Sequence, residues 1–284
     1  MSPNDQWVKT QSQTAAYHIN LTGEEISNDI IIVGDPERVG TIGERFDEIH
    51  YQKSNREFSS LGGRLNNKQL TVVSSGIGVD NIDILLNEIE HVVNGNSQAK
   101  RTLNFYRLGT TGGLQRELSP GSVLISEYAI GIEGLMHYYP IKYSDEEKNL
   151  ALSFKQENFL PTEIAAPYAV RKGSKILPQF PKAWIKGITL TANGFYGPQL
   201  RDGAHGLSKK RHSIEELSQF SFQNLALTNI EMECSGIYGM AKLFNHQAVT
   251  ICTVIANRIT GEIASDIKGA TNNLIDHALE VITT

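Results

Sequence analysis

Apolar residues along this chain come in short runs, and amphipathic stretches separate them. Residues 30–33 form a β-branched run that Gly34 closes, the pattern of a buried strand feeding a turn. Asp35-Pro36 then reads as a helix start with proline at the first helical position, and the helix is predicted over 38–46. Residues 70–74 give a second strand, closed by Ser75-Gly76-Ile77-Gly78. Behind it Ile82, Leu85, Leu86, Ile89 and Val92 fall on one face at helical spacing. A third strand is predicted at 105–108, and Gly109-Thr110-Thr111-Gly112-Gly113 ends it. Further strands are expected at 122–126 and 188–191, and a charged, helix-like segment at about 208–224. A small-residue helix face at 237–244, a buried strand at 248–255 and a helix at 271–282 follow.

Strands alternating with helices predict an α/β fold whose sheet carries helices on both faces. Ligands in such sheets sit beyond the carboxyl ends of the strands. The predicted strand ends here carry glycine with a polar or charged residue, so chemistry is sought there. Residues 1–16 read as a loose polar arm.

The 284 residues fit two average domains or one large one. Lys plus Arg is 26 against 31 for Asp plus Glu, a net charge of -5. That balance excludes a surface built to coat nucleic acid but not a local basic pocket for a small anion. Two cysteines, Cys234 and Cys252, are too few for a disulfide framework or a Cys-rich zinc module, and they read as small buried hydrophobes. The apolar runs are too short to span a membrane, and residues 1–13 lack the apolar stretch of a signal peptide. A reducing, cytoplasmic setting is therefore expected. The histidines show no metal-binding spacing, so no metal site is expected.

Five segments carry candidate chemistry. Gly34-Asp35-Pro36-Glu37-Arg38 puts glycine at a strand end and arginine in the next helical turn, an anion site in outline. An ordinary strand–turn–helix gives the same pattern. Arg107 lies in an apolar strand before two threonines and three glycines, and burying it calls for an anionic partner. The lysine of a nucleotide-binding P-loop is missing there. Arg56 lies in a less regular stretch, Ser54-Asn55-Arg56-Glu57-Phe58, where a solvated charge is the simpler expectation. Phe195, Gln199 and Arg201 combine an aromatic face, a two-way amide and a donor, which suits a nucleobase edge. Glu231-Met232-Glu233 puts two carboxylates before a helix, so one can accept from the vicinal hydroxyls of a sugar. Carboxylates at a helix N-terminus are also favoured by its dipole.

Taken in order, these motifs resemble the nucleoside phosphorylase family that contains uridine phosphorylase. The likeness runs from Tyr17 to about Glu262, and residues 136–186 match poorly. It implies a single domain over 17–284 with a central mixed, partly barrel-like sheet flanked by helices. It implies phosphorolysis: nucleoside plus phosphate gives base plus ribose 1-phosphate, in pyrimidine salvage. Arg107, Gln199, Arg201 and Glu233 would carry the chemistry. Gly34, Arg38, Arg56, Arg107 and Thr110 would hold phosphate, with Arg56 reaching a neighbouring subunit's site. His18 would cross the interface to the 5′-hydroxyl. Thr111, Gly112, Phe195, Met232 and Glu233 would line the nucleoside site, with Phe195 on the face of the uracil. Gln199 and Arg201 would bind its edge, and Arg258 would support the base through Arg201 or water.

The minimal active unit implied is a homodimer, and a hexamer built from such dimers is the larger assembly considered. Purine-cleaving relatives place Asp where Asn257 stands, which favours a pyrimidine. Ala256 opens the pocket near the pyrimidine 5-position, so thymidine and 5-substituted uridines stay in view. No organic cofactor or metal is implied, and phosphate is the co-substrate. Potassium stays open: Asn81 stands about where cation-binding relatives have Ser, while Glu57 is kept. A purine phosphorylase, a nucleosidase on the same fold and a non-catalytic nucleoside-binding protein are the rival functions.

Overall fold

The computed structural model describes residues 15–95, 97–177, 180–206 and 212–284. The first apolar run is strand β1 (Asp29–Val33). It pairs in parallel with β4 (Lys68–Ser74) on one side and β5 (Asn104–Gly113) on the other. Because side chains alternate along a strand, Ile30 and Ile32 enter one core layer and Ile31 and Val33 the opposite one. A strand buried on both faces reads as a continuous apolar run, which is why β1 was legible.

The first layer is closed by helices α2 (Val79–Asn94) and α5 (Cys234–Leu243), through Ile82, Leu85, Ile89 and Ile237. The second is closed by α1 (Glu37–Gly43) and α6 (Ile267–Thr283), through Ile42, Leu274 and Ala278. These layers fix the strand ends between them. Truncating a buried leucine such as Leu85 to alanine costs about 2–5 kcal/mol.

Past β5 the sheet closes on itself. β5 pairs with β11 (Gln247–Asn257), β11 with β6 (Val123–Gly131), β6 with β8 (Ile185–Thr191) and β8 with β10 (Leu225–Glu231). β10 then returns to β5 through Asn229↔Gly113 and Ile230↔Gly112. Parallel and antiparallel pairs together make a five-stranded mixed barrel. Buried hydroxyls and an amide tie it across: Ser126 to Thr189, Thr189 to Asn229 and Asn229 to Thr111. A third apolar cluster packs Leu150 and Phe154 of α3 (Asp145–Gln156) and Leu217 of α4 (Ile214–Ser218) with Ile188 and Leu227 of the barrel strands.

Four expectations change. The Gly109–Gly113 run does not end a strand: it is the second half of β5, in register with β11 from Cys252 to Asn257. Pairing on two sides holds it extended where glycine content alone suggests a turn. Second, Arg56 is not in irregular chain but at the tip of a hairpin, β2 (Glu48–Asn55) and β3 (Phe58–Leu65), with φ 54°. β2 is a largely exposed strand and β3 is interrupted by Gly62-Gly63, so neither shows a clean alternation. Third, the segment expected to be helical over 208–224 is helical only in α4, which a Ser213–Glu216 capping box starts. It then turns into β9 (Ser221–Phe222), paired with β10, while residues 207–211 lie outside the described residues. Fourth, the polar arm is shorter than expected: Ala15 bridges to Thr22 and Ala16 is buried, and residues 1–14 lie outside the described residues. β7 (Tyr168–Arg171), on β6, completes the sheet as described. Among the described residues no helix is long and apolar enough to cross a membrane.

Candidate active site

The carboxyl ends of β1, β5 and β10 open into one cavity of about 730 Å³. Gly34 and Arg38 line it from the β1 end, and Arg107, Thr110, Thr111 and Gly112 from β5. Met232 and Glu233 line it from the link between β10 and α5. Phe195, Gln199 and Arg201 close the far side, and Ile255 and Ala256 come from β11. Residues separated by nearly the whole chain therefore share one chamber.

Arg107 is its electrostatic hinge. It is 5% exposed, and its Nη2 donates to Glu231 Oε2 at 3.0 Å and to Glu233 Oε2. Burial works against its charge, but Glu231, Cys252 and Glu233 outweigh that and hold its pKa well above the ordinary value. The two carboxylates differ in what they have left to offer. Glu231 accepts from the Thr191 hydroxyl (2.7 Å), from the Glu233 N–H (2.9 Å) and from the Cys234 N–H (3.0 Å), besides Arg107. Burial, reinforced by Glu233, pushes its carboxyl up, and Arg107 opposes that. Glu231 is thus saturated by the fold. Glu233 takes Arg107 on one oxygen and the Gly78 N–H (2.7 Å) on the other. Gly78 sits at φ 95°, a conformation that side chains rarely adopt, and this turns its N–H toward the carboxylate. Glu233 keeps lone pairs for a ligand hydroxyl. The residue pattern by itself leaves open which carboxylate would do this, and the family resemblance points to Glu233.

Arg38 stands beside this centre, half-buried, with its pKa lowered by burial and by Arg107 and raised by Asp35. Two guanidiniums and the Thr110 hydroxyl facing one space make a receptor for a small oxyanion.

The opposite end is different. Gln199 is 3% exposed and lines the cavity. Among the described residues Arg201 Nε and Arg258 Nη1 are buried donors without a protein partner. Buried polar groups without partners are costly, so Arg201, which lines the cavity, is a donor to which a ligand could bring an acceptor. Burial lowers the pKa of Arg201, and burial with the Arg201 charge brings Arg258 down to about 10. Leu200, at φ 56°, is the left-handed residue between Gln199 and Arg201.

Several expected details differ. Arg258 does not line the cavity; it donates to the Gln199 carbonyl at 3.0 Å and so braces the backbone at Gln199, with no contact to Arg201 among its hydrogen bonds. The Arg201 guanidinium lies 4.1 Å from the centre of the Phe195 ring and takes one of its faces. The Thr111 hydroxyl donates to the Ile230 carbonyl and serves the barrel closure. Asn257 lies outside the cavity: its amide donates to the Gln115 and Leu118 carbonyls and accepts from the Ile259 and Thr260 N–H groups. Its identity reports a backbone clamp and says nothing direct about the base.

His18 and Arg56 are not in this chamber. Asn55 Nδ2 donates to the Tyr17 and His18 carbonyls, and the Arg56 guanidinium lies over the Tyr17 ring at 5.6 Å. The His18 ring meets Glu88, which also accepts from the His18 and Ile19 N–H groups. The two residues thus form one surface cluster at the hairpin tip.

Residues 29–283 match the phosphorylase superfamily. The chain belongs to that superfamily. Within it, the chain is 29% identical over 252 residues to a uridine phosphorylase of Thermococcus kodakarensis, covering 87% of this chain and 79% of the relative. It is also 29% identical over 256 residues to a uridine phosphorylase of Haemophilus influenzae, covering 89% and 90%. A solved nucleoside phosphorylase of Trypanosoma brucei, which shows uridine phosphorylase activity, superposes with a TM-score of 0.83 over 96% of this chain and 97% of that one. At 24% identity that likeness supports the fold, the barrel closure included.

Sequence inspection missed Glu231 as the residue that holds Arg107. The signal was present as the first Glu of Glu231-Met232-Glu233, but nothing in the pattern tells a saturated carboxylate from a free one.

Proposed function

We propose that the protein is a pentosyltransferase that cleaves uridine with phosphate to give uracil and ribose 1-phosphate. The observation that carries this is one chamber lined by Arg38 and Arg107, by Gln199 and Arg201, and by Glu233. The uridine phosphorylase relatives support the choice of substrate.

Phosphate binds at Arg107, Arg38, Thr110 and the Gly34 backbone. Glu233 accepts from the ribose 2′- and 3′-hydroxyls while Met232 packs the sugar. As the glycosidic bond stretches, positive charge grows on the ribose and negative charge on the base. A phosphate oxygen donates its electron pair to the anomeric carbon, and the C–N electron pair leaves with uracil. Arg201 and Gln199, fixed before the reaction, meet that developing charge, so the base departs as a stabilised anion. Nothing else is required of a general acid.

We place the active unit in a homodimer. His18 and Arg56 lie together on the surface and outside their own chamber, so a second copy would deliver both. A monovalent cation is left outside the chemistry: Glu57 and the Asn81 amide nitrogen both lie by Gly76, and of the two Glu57 is the residue that would hold such an ion. Two unpaired, buried cysteines support a reducing, cytoplasmic setting.

The test is base release from uridine, deoxyuridine, thymidine, inosine and adenosine, each with and without phosphate. Phosphate-dependent release from uridine is expected. Preference for inosine or adenosine would move the substrate to purines, and release without phosphate would make the protein a hydrolase.

A further inference from the structure

Strands β5 and β11 run parallel, with Gly109 directly opposite Cys252. Arg107 lies two residues before Gly109 on the same strand face, so its side chain runs forward over Gly109. The space there is filled: a Cβ on residue 109 would fall 2.2 Å from Arg107 Nη1 and 2.8 Å from Cζ. Across the rung, Arg107 Nη1 donates to Cys252 Sγ at 3.1 Å, with Cys252 1% exposed.

We infer that Gly109 and Cys252 form a slot that fixes the Arg107 guanidinium, and that Cys252 is a positioning residue for the phosphate co-substrate. The guanidinium is then held at both ends. Nη2 is committed to Glu231 and Glu233, and one Nη1 hydrogen to the sulfur. Among the described residues the Arg107 guanidinium makes no other hydrogen bond or ion pair, which leaves Nε–H and the second Nη1 hydrogen for an oxyanion. A neutral sulfur suits this place, because the arginine already faces two carboxylates and a third anion would compete with phosphate. Burial pushes the Cys252 thiol up to about 11, so it stays neutral at ordinary pH.

The inference rests on the phosphate subsite proposed above, and inorganic phosphate binding tests both without a nucleoside. Calorimetric titration of the whole protein should show phosphate binding. Cys252→Val keeps a similar volume but has no acceptor, and it should weaken phosphate about tenfold while changing the uridine KM less than about twofold. Cys252→Ser restores an acceptor and should return phosphate affinity to within about threefold of wild type. A purely structural cysteine predicts the reverse order, since a buried site accepts valine more readily than serine. Cys252→Ala, which removes the acceptor without a branched side chain, guards against a valine that disturbs folding. Phosphate affinity unchanged in the valine and alanine variants, or lost equally in all three, overturns the slot. No phosphate binding by the wild type overturns the functional reading itself.

Discussion

Glu233 holds the Arg107 guanidinium on one carboxylate oxygen and the Gly78 N–H on the other. That pair joins the anion end of the chamber to its middle. Phosphate and ribose would meet across this contact, and each would find its receptor already oriented.

The first expectation concerns that carboxylate. Glu233→Gln keeps the size and removes the charge, so kcat/KM for uridine should fall by about a hundredfold or more. The loss should be smaller for deoxyuridine, which has only one of the two vicinal hydroxyls. Steady-state kinetics on both substrates checks this, and equal losses would remove the 2′-hydroxyl from its role.

Arg201→Ala separates base from phosphate. Arg201 lines the chamber, and among the described residues its buried Nε has no protein partner. Turnover on uridine should drop by about a hundredfold or more, with phosphate affinity changed by less than about twofold. A matching loss of both would mean that Arg201 is structural.

The surface cluster of His18 and Arg56 predicts complementation. Arg56→Ala and Glu233→Ala should each be nearly inactive. After co-refolding or subunit exchange, mixed dimers contain one site with both native residues, so part of the activity returns. No recovery in demonstrably mixed dimers would show that Arg56 acts within its own chain or not at all.

A pH effect on stability follows from His246. Nδ1 accepts from the Leu103 N–H and Nε2 meets Glu90, an arrangement for the neutral ring. Burial pulls its pKa below the ordinary value, and Glu90 offsets this only in part. Its folded pKa is thus the lower of the two, so the folded state binds fewer protons than the unfolded chain. The stability this contributes is complete above the unfolded value, about 6.5, and is lost as pH falls through the folded one. Melting temperature should decline from pH 7.5 to pH 5.5, and the decline should be smaller in His246→Gln. Equal slopes would exclude His246 as the cause.

How much was legible in advance depended on the physical source of each signal. β1 and α2 announced themselves because continuous burial and helical spacing leave one-dimensional patterns. β2 did not, because an exposed edge strand has little to bury. The glycine-rich half of β5 was misleading for a specific reason: its glycines make room for Arg107 and Arg258, not for a turn. Gln199 and Arg201 were visible as a chemical pair. The division of labour between Glu231 and Glu233 was not, since it depends on Thr191 and on the backbone at the start of α5. The Asn257 clamp was hidden for the same reason: its partners are carbonyls some 140 residues away in sequence.

The most direct measurement is a phosphorus balance. Uridine and inorganic phosphate are incubated with the protein, and uracil and phosphate esters are quantified together by chromatography and phosphorus NMR. One ribose 1-phosphate per uracil, with no uracil when phosphate is omitted, is the expected result. Uracil with free ribose and unconsumed phosphate, or no base released at all, would contradict it.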